Sequence, residues 1–235
     1  MKSLRLVTLT LLATTLLTGV TQAQTSSVPE RIAALKAALE TSKASLKQYE
    51  WIETTVVSLN GEEKSRKQER CFYGADGGLT KVELNETPEA AKKRGLRGRI
   101  AERKKEEMTD SMKKAVALVK TYVPPNPALI QAAKDAGKVS IEVLEPGKRA
   151  RLNFKDYEKA GDTLGVEVDL ITNRPLGMKV ATYLDTPKDI VTLEVRMGQL
   201  NDGTVYASDS TLNIKSKNLT VAVQNSGYRK MTPGQ

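Results

Sequence analysis

The sequence predicts an α+β fold: a curved antiparallel sheet with helices covering one face. Three observations carry this. The C-terminal half alternates apolar and polar residues with a period of two, segment after segment, as half-buried strands do. Turn signals separate those segments at short intervals, so neighbouring strands pair as hairpins. Two blocks of helical periodicity, one on either side of an N-terminal hairpin, are all the chain offers to cover the dry face.

At the N-terminus, Lys2 and Arg5 precede an apolar run from Leu6 to Val20, followed by small residues at Thr21 and Ala23. This is the layout of a secretory signal peptide, and the run falls short of the roughly 20 apolar residues of a membrane span. Residues 1–23 are expected to be cleaved, leaving one domain over 24–235, soluble and either periplasmic or secreted. No Cys stands near the cut to take a lipid.

The first helical block, "VPERIAALKAALETSKASLKQYEW", sets Ile32, Leu35, Leu39, Leu46 and Tyr49 on one stripe, with Ser42 in the gap. Ser27 is placed to cap it, with Pro29 in the first turn and Glu30 completing a capping box. "YEWIETTVVSL" then reads as a strand. Asn60-Gly61 is the strongest short hairpin signal, because both central positions need φ > 0. The return strand lies in "KSRKQERCFYG", and a short third strand is expected at "LTKVEL" after a Gly-rich turn.

Gly95 and Gly98 each cost about 1 kcal/mol in a helix interior, so residues 86–98 read as a loop. Helical periodicity starts at Arg99, with Ile100, Met108, Met112, Ala115, Val116, Val119 and Tyr122 sharing a face. "VPPNP" stops that helix. Asn126 and Pro127 cap a short one, which Gly137 ends.

The remaining strands are read from their alternation. The strand with Val139, Ile141 and Val143 is expected to pair, across "EPGK", with the one holding Ala150, Leu152 and Phe154. Next come Leu164, Val166, Val168 and Leu170, then Leu176, Met178 and Val180, then Val191, Leu193, Val195 and Met197. "TVYASDSTLNI" and a strand with Leu219, Val221 and Val223 complete the sheet.

Composition narrows the chemistry. The chain has no His, which removes the commonest general base and metal ligand. Its one Cys, Cys71, excludes an internal disulfide and any multi-cysteine metal site. No nucleophile elbow, P-loop or dinucleotide fingerprint is present. Neither an enzyme nor a cofactor is expected.

One stretch stands out: "KKRGLRGRIAERKK" at 92–105 has eight cations against the single acid Glu102, a local +7. Removing Lys2 and Arg5 with the leader takes the whole chain from 37 cations against 28 acids to 35 against 28, also +7. The rest of the mature chain is therefore neutral. Nucleic acid is not expected as a partner of an exported protein whose excess charge sits in one segment. Lys92, Lys93, Arg94, Arg97 and Arg99 are instead expected to meet an anionic membrane surface or an acidic envelope protein, the alternative being a solvated surface loop that keeps the chain soluble.

A sheet covered by a few helices either closes its core or keeps an apolar cavity. Aromatics make up only 4% of the chain, so such a cavity would have aliphatic walls. The residues expected to line it are Trp51, Val166, Val168, Leu170, Val180, Leu193 and Val195. The order of leader, helix, strand pair, helical insertion and meandering strands, with the closing "DGTVYASDSTLNIKSKNLTVAVQNSGYRKM", resembles the LolA-like outer-membrane lipoprotein-sorting proteins. That resemblance implies an incomplete β-barrel with helices and an apolar cavity on its concave side. It also implies a non-enzymatic carrier of lipid or lipoprotein acyl chains. The competing expectation is an envelope interaction or regulatory module with a filled core and a basic docking loop.

Overall fold

A computed structural model describes residues 28–84 and 96–231. The chain runs α1 (Val28–Leu46), β1 (Tyr49–Leu59), β2 (Glu62–Tyr73), β3 (Leu79–Glu83), α2 (Leu96–Tyr122), α3 (Pro127–Asp135), β4 (Val139–Glu145), β5 (Arg149–Lys155), β6 (Thr163–Asp169), β7 (Pro175–Tyr183), β8 (Ile190–Gln199), β9 (Val205–Ile214) and β10 (Leu219–Lys230). The strands form one antiparallel sheet in the order β3-β2-β1-β10-β9-β8-β7-β6-β5-β4. This is the expected α+β incomplete barrel, open between its two edges, with the helices on the concave face.

The topology explains the cover. β3 and β4 are consecutive strands at opposite edges, so their connection must cross the whole sheet. Nine interstrand steps of about 4.8 Å make roughly 43 Å, and the 27 residues of α2 supply about 40 Å at 1.5 Å each. Ala115 and Val119 of α2 pack on Val191, Leu212, Ile214, Leu219 and Val221. Tyr122 at its end enters a second cluster with Leu152, Phe154, Leu164, Val166, Met178 and Val180. Each such aliphatic side chain contributes about 1.5–3 kcal/mol on burial.

Local signals decide the short-range features. Asn60 (φ 52°) and Gly61 (φ 81°) make the first hairpin turn in the left-handed conformation expected of them. Asn126 caps α3, its side chain accepting from the Ala128 N–H at 2.9 Å. Val139, Ile141 and Val143 face Phe154, Leu152 and Ala150 in the expected hairpin. Ile141 and Val143 nevertheless remain 53% and 61% exposed, because β4 is an edge strand beyond the strip that the helices cover.

Other expectations change. α2 begins at Leu96, not Arg99, with Gly98 in its first turn. First-turn amides have no intrahelical acceptor to lose, so Gly costs less there than in an interior. Tyr49 opens β1 instead of extending α1. Ser42, the gap in the α1 stripe, is buried because its Oγ accepts the Val205 N–H at 3.0 Å, tying α1 to β9. A register shift opposes Pro175 to Val168, and Pro175 rather than Leu176 is fully buried. The proposed cap Ser27 and the side chains of Ile32, Leu35 and Ile100 lie outside the described residues.

The helix-facing row is not apolar throughout. Along β1 it passes from Val57 through Thr55 to Glu53. Glu53 forms an ion pair with Lys81, and Lys67 pairs with Glu69 at 2.8 Å and Glu83 at 3.3 Å. The β1–β3 wing thus presents charge where the β5–β8 side presents apolar core.

Candidate functional site

An apolar cavity of about 280 Å³ opens where α1, the Pro-rich segment before α3 and strands β5–β6 meet. Its walls are Leu39 from α1, Pro124, Pro125, Pro127 and Ile130, and Leu152, Phe154 and Val166 from the sheet. Leu152 and Phe154 alternate onto one face of β5, and Val166 sits directly across the ladder from Leu152. Proline suits such a wall because it exposes ring carbon and has no N–H to leave unsatisfied.

Hydrogen bonds hold the Pro-rich wall in place. The Tyr157 Oη accepts the Asn126 N–H at 2.6 Å, and its ring packs against Phe154 and Tyr122 at centroid distances of 6.2 and 5.8 Å. Tyr157 is itself held by Asp162, which is 1% exposed. The Asp162 carboxylate accepts the N–H groups of Tyr157, Glu158 and Lys159 at 2.5, 3.0 and 3.0 Å. The Tyr122 Oη donates to it at 2.5 Å and shares a second bond with the Thr182 hydroxyl at 2.9 Å. Burial, and then the bond to Asp162, push the Tyr122 phenol well above its ordinary range, so it stays a donor at physiological pH. The network is structural: it fastens the end of α2 and the Pro-rich wall to the sheet.

Charge enters the cavity from one side. Lys36, Glu40 and Lys43 of α1 complete the lining. The Lys36 Nζ lies 3.9 Å from a Glu40 carboxylate oxygen, with both side chains mostly exposed. A larger depression of about 470 Å³ runs along the opposite face of the sheet among Arg151, Thr192, Glu194 and Asn213. Among its charged groups, Arg151 pairs with Glu142 and Glu167, and Lys179 with Glu194. We take that depression as wetted surface and the apolar cavity as the candidate site. Among the described residues no group of three or more His, Cys, Asp or Glu is placed to hold a metal ion, and no helix is long and apolar enough to cross a membrane.

Of the residues expected to line a cavity, Val166 does so. Val168, Val180 and Val195 are buried in the main core, and Leu170 and Leu193 pack against it. Trp51 lies five strands from β6. There it stacks on Tyr228 at 5.5 Å, contacts Tyr73 at 5.9 Å and donates its Nε1–H to Asn225 at 3.1 Å. Of the cationic set, Arg99 is exposed on α2. Lys92, Lys93 and Arg94, and the side chain of Arg97, lie outside the described residues. The Pro-rich wall escaped sequence reading because "VPPNP" reads first as a helix stop. Its signal was the density of apolar rings between two helices that need a short link.

No family model and no curated protein matches the chain. Solved structures are similar over most of its length. One is a LolA superfamily protein from Nitrosomonas europaea, at 8% identity and TM-score 0.38 over 84% of this chain and 94% of that one. Another is an outer membrane lipoprotein-sorting protein domain from Vibrio parahaemolyticus, at 16% identity and TM-score 0.41 over 88% and 93%. A third is a DUF1329 family protein from Desulfovibrio piger, at 9% identity and TM-score 0.34 over 86% and 95%. At such identities and TM-scores the overlays are loose, and function has to be read from this chain's own residues.

Proposed function

We propose that the chain is an exported, non-enzymatic carrier or binding protein for the acyl chains of a lipid or lipoprotein, held in the cavity beneath α1. The observation that supports this most is the chemistry of the walls. Aliphatic and proline surface offers desolvation and dispersion with few directional bonds, which suits a flexible alkyl chain. A volume of about 280 Å³ lies near the lower end of ligand pockets, roughly 300–1,000 Å³, and fits one chain better than several. Ile141 sits directly across from Leu152 in the ladder and is exposed. It gives a longer chain an apolar track out of the cavity toward the sheet edge. Mass spectrometry of an organic extract of the purified protein should find bound lipid, and the delipidated protein should bind a fluorescent fatty acid saturably. Failure of both would leave the interaction module with a filled core as the better reading.

The cationic segment has a separable role in this proposal, contact with the anionic membrane surface during loading or delivery. Changing Lys92, Lys93, Arg94, Arg97 and Arg99 to Gln should sharply reduce binding to anionic vesicles. Wild-type binding should weaken with salt, as the Debye length falls from about 10 Å at 0.1 M. On this proposal the charges act at a surface, where each is worth roughly 0–1 kcal/mol, so the melting temperature should hardly move. Equal vesicle binding by the two forms would make the segment simply solvated surface.

A further inference from the structure

We infer that the cavity selects single-chain amphiphiles with an anionic head, a carboxylate or a phosphate monoester, and that Lys36 and Lys43 recognise that head. This rests on the acyl-chain reading above. Every charged group in the lining comes from one wall: Lys36, Glu40 and Lys43, all on α1. Spacings of four and three place them on one side of the helix, beside Leu39, which packs on the core. The other walls are aliphatic, proline and Phe154. A tail therefore lies against β5 and the Pro-rich segment, and its head is left at α1.

The sign of the head follows from the pairing. Lys36 and Glu40 meet loosely, at 3.9 Å with side chains 57% and 69% exposed, so an incoming anion can replace Glu40 at little cost. Lys43 has no ion pair among the described residues. Two cations against one acid leave the rim at a net +1. A cationic head would be repelled there, and a neutral one would leave both ammonium groups without a new partner.

Titration calorimetry with four heads on one tail tests this. Laurate and dodecyl phosphate should bind wild type roughly five- to tenfold more tightly than dodecanol or dodecyltrimethylammonium at low salt, the scale of one or two exposed ion pairs. Added salt should shrink the difference. Combining Lys36→Gln with Lys43→Gln should remove the preference while leaving dodecanol affinity unchanged. Glu40→Gln should tighten laurate binding a few-fold. Equal affinity of wild type for all four heads overturns the inference but leaves the acyl-chain reading standing, as does a preference that survives in the double variant. Failure of all four compounds to bind defeats the acyl-chain reading, and this inference with it.

Discussion

Replacing Asp162 with Ala is expected to destabilise the protein by roughly 3–5 kcal/mol, the upper range for a single substitution. The change strands three backbone N–H groups, those of Tyr157, Glu158 and Lys159, and leaves the Tyr122 phenol with Thr182 as its remaining partner. An unsatisfied buried donor costs about 1–3 kcal/mol, although partial rewetting of the Glu158 and Lys159 amides keeps the sum below three full penalties. Tyr122→Phe removes one donor and leaves the three amides paired, so about 1 kcal/mol is expected. The double variant should lose less than the sum of the two single losses, because the groups share one network. Chemical denaturation of the three variants measures this directly. A loss below about 1 kcal/mol for Asp162→Ala would show that the turn finds other partners. The same substitution should weaken acyl-chain binding, because Asp162 holds Tyr157 and Tyr157 holds the Pro-rich wall at Asn126.

Two neighbouring valines on β6 should respond in opposite ways to a Trp substitution. Val166 borders the cavity, so an added indole has about 280 Å³ of open space to enter. Val166→Trp should abolish binding of a fluorescent fatty acid with a smaller fall in melting temperature than Val168→Trp. Val168 points to the same face two residues on, and both valines belong to the packed cluster, at 2% and 4% exposure, but only Val166 also borders the cavity. Val168→Trp should cost about 1–3 kcal/mol or more through overpacking. Its binding, where the protein still folds, should persist. Undiminished binding by Val166→Trp would exclude the cavity as the acyl-chain site. Equal destabilisation of both variants would show that the space near Val166 closes in solution.

The depth of each feature's legibility follows how local its cause is. The Asn60-Gly61 turn depends on two φ angles, and the Asn126 cap on a hydrogen bond two residues away. Both were readable from the residues alone. The pairing of Val139, Ile141 and Val143 with β5 was equally readable, since a short turn and period-two alternation leave one register that keeps all six apolar residues on one face. That the same alternation leaves Ile141 exposed was not readable. Its burial depends on whether a helix from elsewhere in the chain reaches the sheet edge.

The sequence by itself determined the fold class, nearly every element and the pairing of β4 with β5, because turn chemistry and the alternation of polarity act over a few residues. Tertiary structure alone decided where the apolar surface closes into core and where it stays open. Val166 and Val168 are indistinguishable in the sequence, two identical residues on the same face of one strand. Both lie within the packed cluster, and they differ because α1 and the Pro124–Pro127 wall leave a cavity that Val166 borders and Val168 does not. Trp51 is likewise drawn into a ring cluster with Tyr228 by the pairing of the first strand with the last, a contact across 177 residues of chain that no local pattern encodes. A cavity is a mismatch between surfaces brought together from distant segments, so its position follows from how the chain crosses the sheet and not from any one stretch of it.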